Sequence, residues 1–159
     1  MKHRLVLLLI VASFAVGCPK KVSTEVTGSD DQQLDKYGAE LEELRTLVRI
    51  DRIPLEIREE RFAAHTLQLV IQNALDVASH IVSDERLGEP QTNQELFSLL
   101  ERNGWLTSDL ARDLRNMAGF RNILVHGYQR LSLDILIDVL QNRLSDLTDF
   151  VQAIRQGAR

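Results

Sequence analysis

Leu34, Tyr37, Leu41, Leu44, Leu47 and Val48 recur at intervals of three and four residues, and the same spacing returns in every later segment of this 159-residue chain. That period lays one apolar stripe along a helix, whereas a half-buried strand alternates every second residue. Three prolines and eight glycines leave few places to interrupt it. Aromatic residues, at 5%, are few, and Leu, Ile, Val and Ala fill the periodic positions, which favours helices over short strands. The fold class read from this pattern is all-α, a compact up-and-down bundle of about five helices in one domain.

The first helix is expected from Asp31 to near Asp51, because Pro54 disfavours helical angles at the residue before it. A longer helix should run from Leu55 to Ser83, with Phe62, Leu69, Val70, Asn73, Val77 and Ile81 on one face. Ala63, Ala64, Ala74 and Ala78 would let neighbours approach it closely. Thr92 followed three residues later by Glu95 reads as a capping box, and Gly104 is placed to end that third helix. Trp105 and Leu106 then turn into the core, and Thr107 or Ser108 caps a fourth helix carrying Leu110, Leu114, Met117, Phe120, Leu124 and Val125 up to Gly127. A single last helix is expected from Ser132 to about Gln156, with Leu136, Val139, Leu140, Leu144, Leu147, Val151 and Ile154 inward.

The front end is of another kind. Lys2, His3 and Arg4 precede thirteen uncharged residues and a small-residue run ending at Cys18, the layout of an export signal over residues 1–17. "AVGC" resembles a bacterial lipobox, in which Cys18 receives a lipid, although Ala15 stands where such boxes usually carry leucine. The run falls short of the ~20 apolar residues needed to span a bilayer. Residues 18–31 read as a polar tether, and residues 32–156 as the helical domain. The alternative is translation from near Val22 or Val26, giving a cytoplasmic protein in place of one anchored in the cell envelope.

Cys18 is the only cysteine, which excludes an intramolecular disulfide and a thiolate metal cluster. The formal charge of −4 becomes −6 once Lys2 and Arg4 are removed. Such a chain lacks the long-range attraction of a basic domain for nucleic acid, so any action on RNA must come from a local site. No phosphate-cradling glycine loop and no G-x-S-x-G motif is present. Asp76 and His80, one turn apart, lack a third metal ligand and read as an ordinary polar pair, and His65 reads as a surface or partly packed residue. Glu40, Glu42, Glu43, Glu56, Glu59 and Glu60 read as a solvated face.

What remains is "FRNILVHGY", residues 120–128. His126 before Gly127 sits where a helix C-terminus favours a protonated imidazole, and Arg121 offers a permanent planar cation suited to phosphate. Together they supply a proton shuttle and a phosphate clamp, the minimum for RNA cleavage without a metal. Spacing alone does not decide it, since Arg58 and His65 form a similar pair, and a capping histidine beside an arginine bound to a surface carboxylate fits equally.

"NMAGFRNILVHGY" resembles the R-x-x-x-x-H-x-Y signature of the HepT-like branch of the HEPN superfamily. "LQLVIQNALDVASHIV", "ELFSLLERNGWLTSDLARDL" and the closing amphipathic segment are similar to that family's helices in the same order, over about residues 32–156. The resemblance implies a homodimeric helical bundle acting as a metal- and cofactor-independent ribonuclease toxin. It also implies an MntA-type nucleotidyltransferase antitoxin that silences the toxin by adenylylating the motif tyrosine. Position by position, Arg121 and His126 become catalytic, Tyr128 the modified residue, and Asn122 a weaker candidate for orienting phosphate. A chain lipidated at Cys18 would meet neither cytoplasmic RNA nor an ATP-using partner, so the contrasting expectation is a membrane-anchored, non-catalytic bundle for dimerisation or partner binding.

Overall fold

The computed structural model describes residues 28–126 and 132–157, with burial described from residue 32 onward. Among them it contains six α-helices and no strand: α1 (Gly28–Leu47), α2 (Ile57–Asp84), α3 (Asn93–Arg102), α4 (Ser108–His126), α5 (Leu133–Asn142) and α6 (Leu144–Gly157), with a 3-10 turn at Ile50–Arg52. The all-α class is as expected. The first 27 residues, including Cys18 and the signal-like run, lie outside the described residues, and α1 begins inside the segment expected to be tether. No helix among the described residues is long and apolar enough to cross a membrane.

Side-chain bonds set the helix directions. Asp35 near the start of α1 pairs with Arg155 near the end of α6 at 2.6 Å, while Arg45 near the end of α1 reaches the Leu144 carbonyl (3.3 Å) and the Thr148 hydroxyl (2.8 Å) at the start of α6. The two helices therefore run antiparallel. Gln33 meets His80 of α2 at 2.9 Å and Glu40 bonds Asn73, so α1 and α2 are antiparallel as well. Trp105, in the turn before α4, lies over the end of α6 so closely that a Cβ at Gly157 would come within 2.5 Å of its ring. It follows that α4 starts where α2 and α6 end, and its C-terminus points toward the end of the bundle where α2 begins.

Local chemistry explains most boundaries. Thr92 accepts the Glu95 backbone N–H at 3.2 Å, but the returning Glu95 carboxylate takes the Gln91 N–H at 2.8 Å, one residue earlier than a capping box places it. Gly104, at φ +78°, ends α3 in a left-handed turn in which the Gly104 and Trp105 N–H groups bond the Glu101 and Leu100 carbonyls. Arg86 does the same for α2 at φ +53°, with its own and Leu87's N–H on the Ser83 and Val82 carbonyls. Of the two candidate caps for α4, Thr107 is the one whose hydroxyl accepts, from Leu110 at 3.4 Å.

Four expectations are corrected. Helix α1 stops at Leu47, before the predicted Asp51, and Ile53 is helical (φ −52°, ψ −46°) although Pro54 follows it. Burial of Ile53 and its N–H bond to the Ile50 carbonyl outweigh the steric bias before proline. Leu47, Phe62, Leu69 and Val125, placed on inward stripes, are exposed; the buried face of α2 is carried by Ala63, Leu67, Val70, Ile71, Ala74 and Ala78. The single last helix is two, broken at Arg143, where the Asp146 N–H bonds the Arg143 carbonyl at 3.1 Å and starts a new helix. The break lets α6 follow α1, with Phe150 fully buried and Val151 only partly so. Finally, Glu59 is buried rather than solvated: Arg49 bonds it at 2.5 Å, which holds its carboxyl below the usual carboxylate range.

Candidate active site

The R-x-x-x-x-H segment lies wholly in α4, in its last two turns, and its two polar residues leave the helix in different directions. Five residues on an α-helix are about 7.5 Å apart along the axis and about 140° apart around it. Arg121 therefore shares its face with Leu114, Met117, Ala118 and Leu124, all buried, while His126 lies with Asn122 on the exposed side. The helix runs on unbroken to His126 because its inward stripe of Met117, Phe120 and Leu124 keeps period through that turn.

Arg121 is half-buried, and its Nε is sequestered without a hydrogen-bond partner among the described residues. No carboxylate among the described residues pairs with it either. By contrast Arg115, six residues earlier, is fully engaged, with its guanidinium on Glu101 of α3 at 2.7 Å and the Glu101 carboxyl lowered chiefly by that bond. A buried, directional donor without an acceptor costs about 1–3 kcal/mol.

His126 is exposed at the negative end of the α4 dipole, and no side chain among the described residues bonds it. Tyr128 lies outside the described residues, as does Gly127. Asp76 and His80 do not converge: Asp76 accepts from Gln72 at 2.8 Å and His80 meets Gln33. No group of three or more metal-ligating side chains occurs among the described residues.

One feature of this end escaped sequence reasoning. Ile123 (45% exposed) and Val125 (37%) stand beside His126, and Leu47, Leu55, Ile57 and Phe62 lie exposed at the end of the bundle where α1 finishes and α2 starts. The helix directions bring these residues toward the same end as the α4 C-terminus. Ile123 interrupts the polar side of α4 and was the one sign of this in the sequence.

Among the described residues the chain is an all-α bundle that carries an arginine and a histidine in the last two turns of one helix. Within it, residues 34–154 match the model of the family described as Ribonuclease HepT-like, and the chain belongs to that family. It is similar to an mRNA nuclease HepT of Shewanella oneidensis, 40% identical over 89 residues covering 56% of this chain and 67% of that one. A tRNA nuclease HepT of Aphanizomenon flos-aquae is 31% identical over 100 residues, 62% and 68% of the two chains. Among solved structures, the tri-AMPylated HEPN toxin of Shewanella oneidensis in complex with MNT antitoxin superposes with a TM-score of 0.75 at 28% identity, covering 80% of this chain and 96% of that one.

Proposed function

We propose that this protein is a ribonuclease of toxin–antitoxin type that cleaves RNA without a metal, with Arg121 and His126 as its catalytic residues. The observation that carries the reading is the partly buried Arg121 guanidinium, whose Nε has no partner among the described residues, one and a half turns from an exposed imidazole at a helix C-terminus. Family membership and the nuclease names of its relatives support the same activity.

One imidazole takes the proton of the ribose 2′-hydroxyl as its oxygen bonds to phosphorus. The P–O5′ bond breaks, a protonated imidazole gives the leaving 5′ oxygen its proton, and a 2′,3′-cyclic phosphate results. Arg121 steadies the charge that builds on the phosphate, in a setting where a fixed cation counts for more than in water. Asn122, exposed beside it, is the secondary candidate for orienting that phosphate. The reaction needs a base and an acid, and one chain offers one suitable histidine. A homodimer closing over the exposed apolar end would bring a second His126 to the cleft and bury Ile123 and Val125.

Silencing is assigned to Tyr128. An AMP there would place a bulky anion two residues from His126, competing with RNA phosphate for Arg121. The AMPylated state and the MNT antitoxin of the Shewanella structure support a nucleotidyltransferase partner for this chain.

His126→Ala tests the assignment. Loss of RNA cleavage by at least a hundredfold, with helicity and oligomeric state unchanged, is expected; full activity in this variant would remove His126 from the mechanism. Co-expression with the partner should add one or more AMP masses to the peptide holding Tyr128, and AMP found only elsewhere would overturn that part.

A further inference from the structure

The outward face of the first half of α2 carries side chains that the cleavage site does not use. Arg58, Arg61, Phe62, His65 and Leu69 are all exposed, and at 100° per residue they fall within about 100° of arc, opposite the buried Ala63, Leu67, Val70 and Ala74. Phe62, 39% exposed, stands one turn from Arg58 and one turn from His65. Arg58, Arg61 and His65 have no hydrogen-bond or ion-pair partner among the described residues. The carboxylates of the same turns are engaged elsewhere. Glu56 pairs with Arg52 at 2.7 Å and with Arg49 at 3.7 Å, Glu59 is buried against Arg49, and Glu60 leaves the helix on the other side. The face turns acidic only at Asp76, about three turns beyond His65, and that carboxylate accepts from Gln72.

We infer that this strip holds single-stranded RNA beside the cleavage site, with Arg58 and Arg61 on backbone phosphates and Phe62 stacked on an unpaired base. The inference rests on the nuclease reading above, which supplies the substrate; the strip decides where that strand runs. Helix α2 begins at the end of the bundle toward which the α4 C-terminus points, so a strand engaged at Arg121 and His126 can continue along it. Two guanidinium groups without carboxylate partners, on a chain of net charge −4, make a local cationic surface complementary to phosphate at short range. An exposed ring set among cations suits a single strand: any base stacks on the ring while the cations follow the backbone. A duplex keeps its base faces stacked inside and gains nothing from Phe62.

The test follows the fluorescence anisotropy of a short, labelled 2′-O-methyl RNA, which has no free 2′-hydroxyl to react, on the full-length protein over a range of salt concentrations. Arg58→Gln combined with Arg61→Gln should weaken binding tenfold or more and flatten the slope of log affinity against log salt by about 1.4, the share of two phosphate contacts on a single strand. Phe62→Leu, which keeps an apolar side chain and removes the ring, should weaken binding at least fivefold and leave that slope unchanged. A duplex of the same sequence should bind more weakly and be indifferent to Phe62→Leu. All three positions are exposed, and unchanged circular dichroism checks that the variants fold. Cleavage plays no part in this readout, so wild-type affinity in the α2 variants overturns the strip and leaves the nuclease assignment to the His126→Ala assay. Failure of the unsubstituted protein to bind, or equal binding of the duplex, overturns it as well. Dissociation of an oligomer by these substitutions, seen in sedimentation, would make the face an interface between copies and likewise overturn the proposal.

Discussion

Arg121 occupies a position on α4 that its neighbours Leu114, Met117 and Leu124 would fill with an apolar side chain. Holding a guanidinium there, with no partner for Nε among the described residues, costs stability, which the proposed role in cleavage would explain. Arg121→Met should therefore abolish RNA cleavage yet leave thermal stability equal or higher by about 1 kcal/mol; a clear drop in Tm would show that the guanidinium is structural. Asp146 makes the opposite pairing of residue and pH. Its folded-state titration is raised, so the stability it contributes is complete below its unfolded value near 4 and is lost as pH rises through the folded value. Asp146→Asn should raise Tm at pH 7 and lose that advantage at pH 3, measured by circular dichroism melts; a constant difference across pH would exclude the carboxyl as its source. Arg121 and His126 stood out in the sequence through the family motif they resemble, because residue types and spacing alone left a capping histidine and a paired arginine open. Asp146 did not, since its surroundings come from Asp113, thirty-three residues away.

At the scale of elements, capping chemistry was readable wherever the turn residues are specialised. Gly104 ends α3 in the left-handed region, and Gly104→Ala should cost about 1 kcal/mol. Arg86 holds the same turn at the end of α2 with a side chain that region disfavours, so Arg86→Gly should raise stability by a few tenths to about 1 kcal/mol. Chemical denaturation of the two variants checks both signs; equal effects would mean that the turns differ in ways their angles do not convey. Period alone misplaced Leu47, Phe62 and Leu69, because a 3.6-residue stripe tells that a face is apolar and not what covers it. It also missed the break at Arg143, where Leu136, Leu140, Leu144 and Leu147 keep helical spacing through two separate helices.

For the whole molecule, the antiparallel course of α1 against α2 and α6 brings distant apolar residues toward the α4 C-terminus. Under the proposed dimer, Ile123→Asp should shift the protein to monomer in sedimentation and reduce cleavage by tenfold or more, with helicity retained. A dimer unaffected by that change would place the interface elsewhere. The sequence by itself determined the all-α class, the order of the first four helices and the turns at Thr92 and Gly104, because periodicity and turn residues act over a few residues. Only the tertiary structure decided that Arg121 turns inward with no acceptor for its Nε among the described residues, and that Phe62 and Ile123 stay exposed. These depend on which faces meet across the chain, and packing, unlike capping, is settled by residues far apart in sequence.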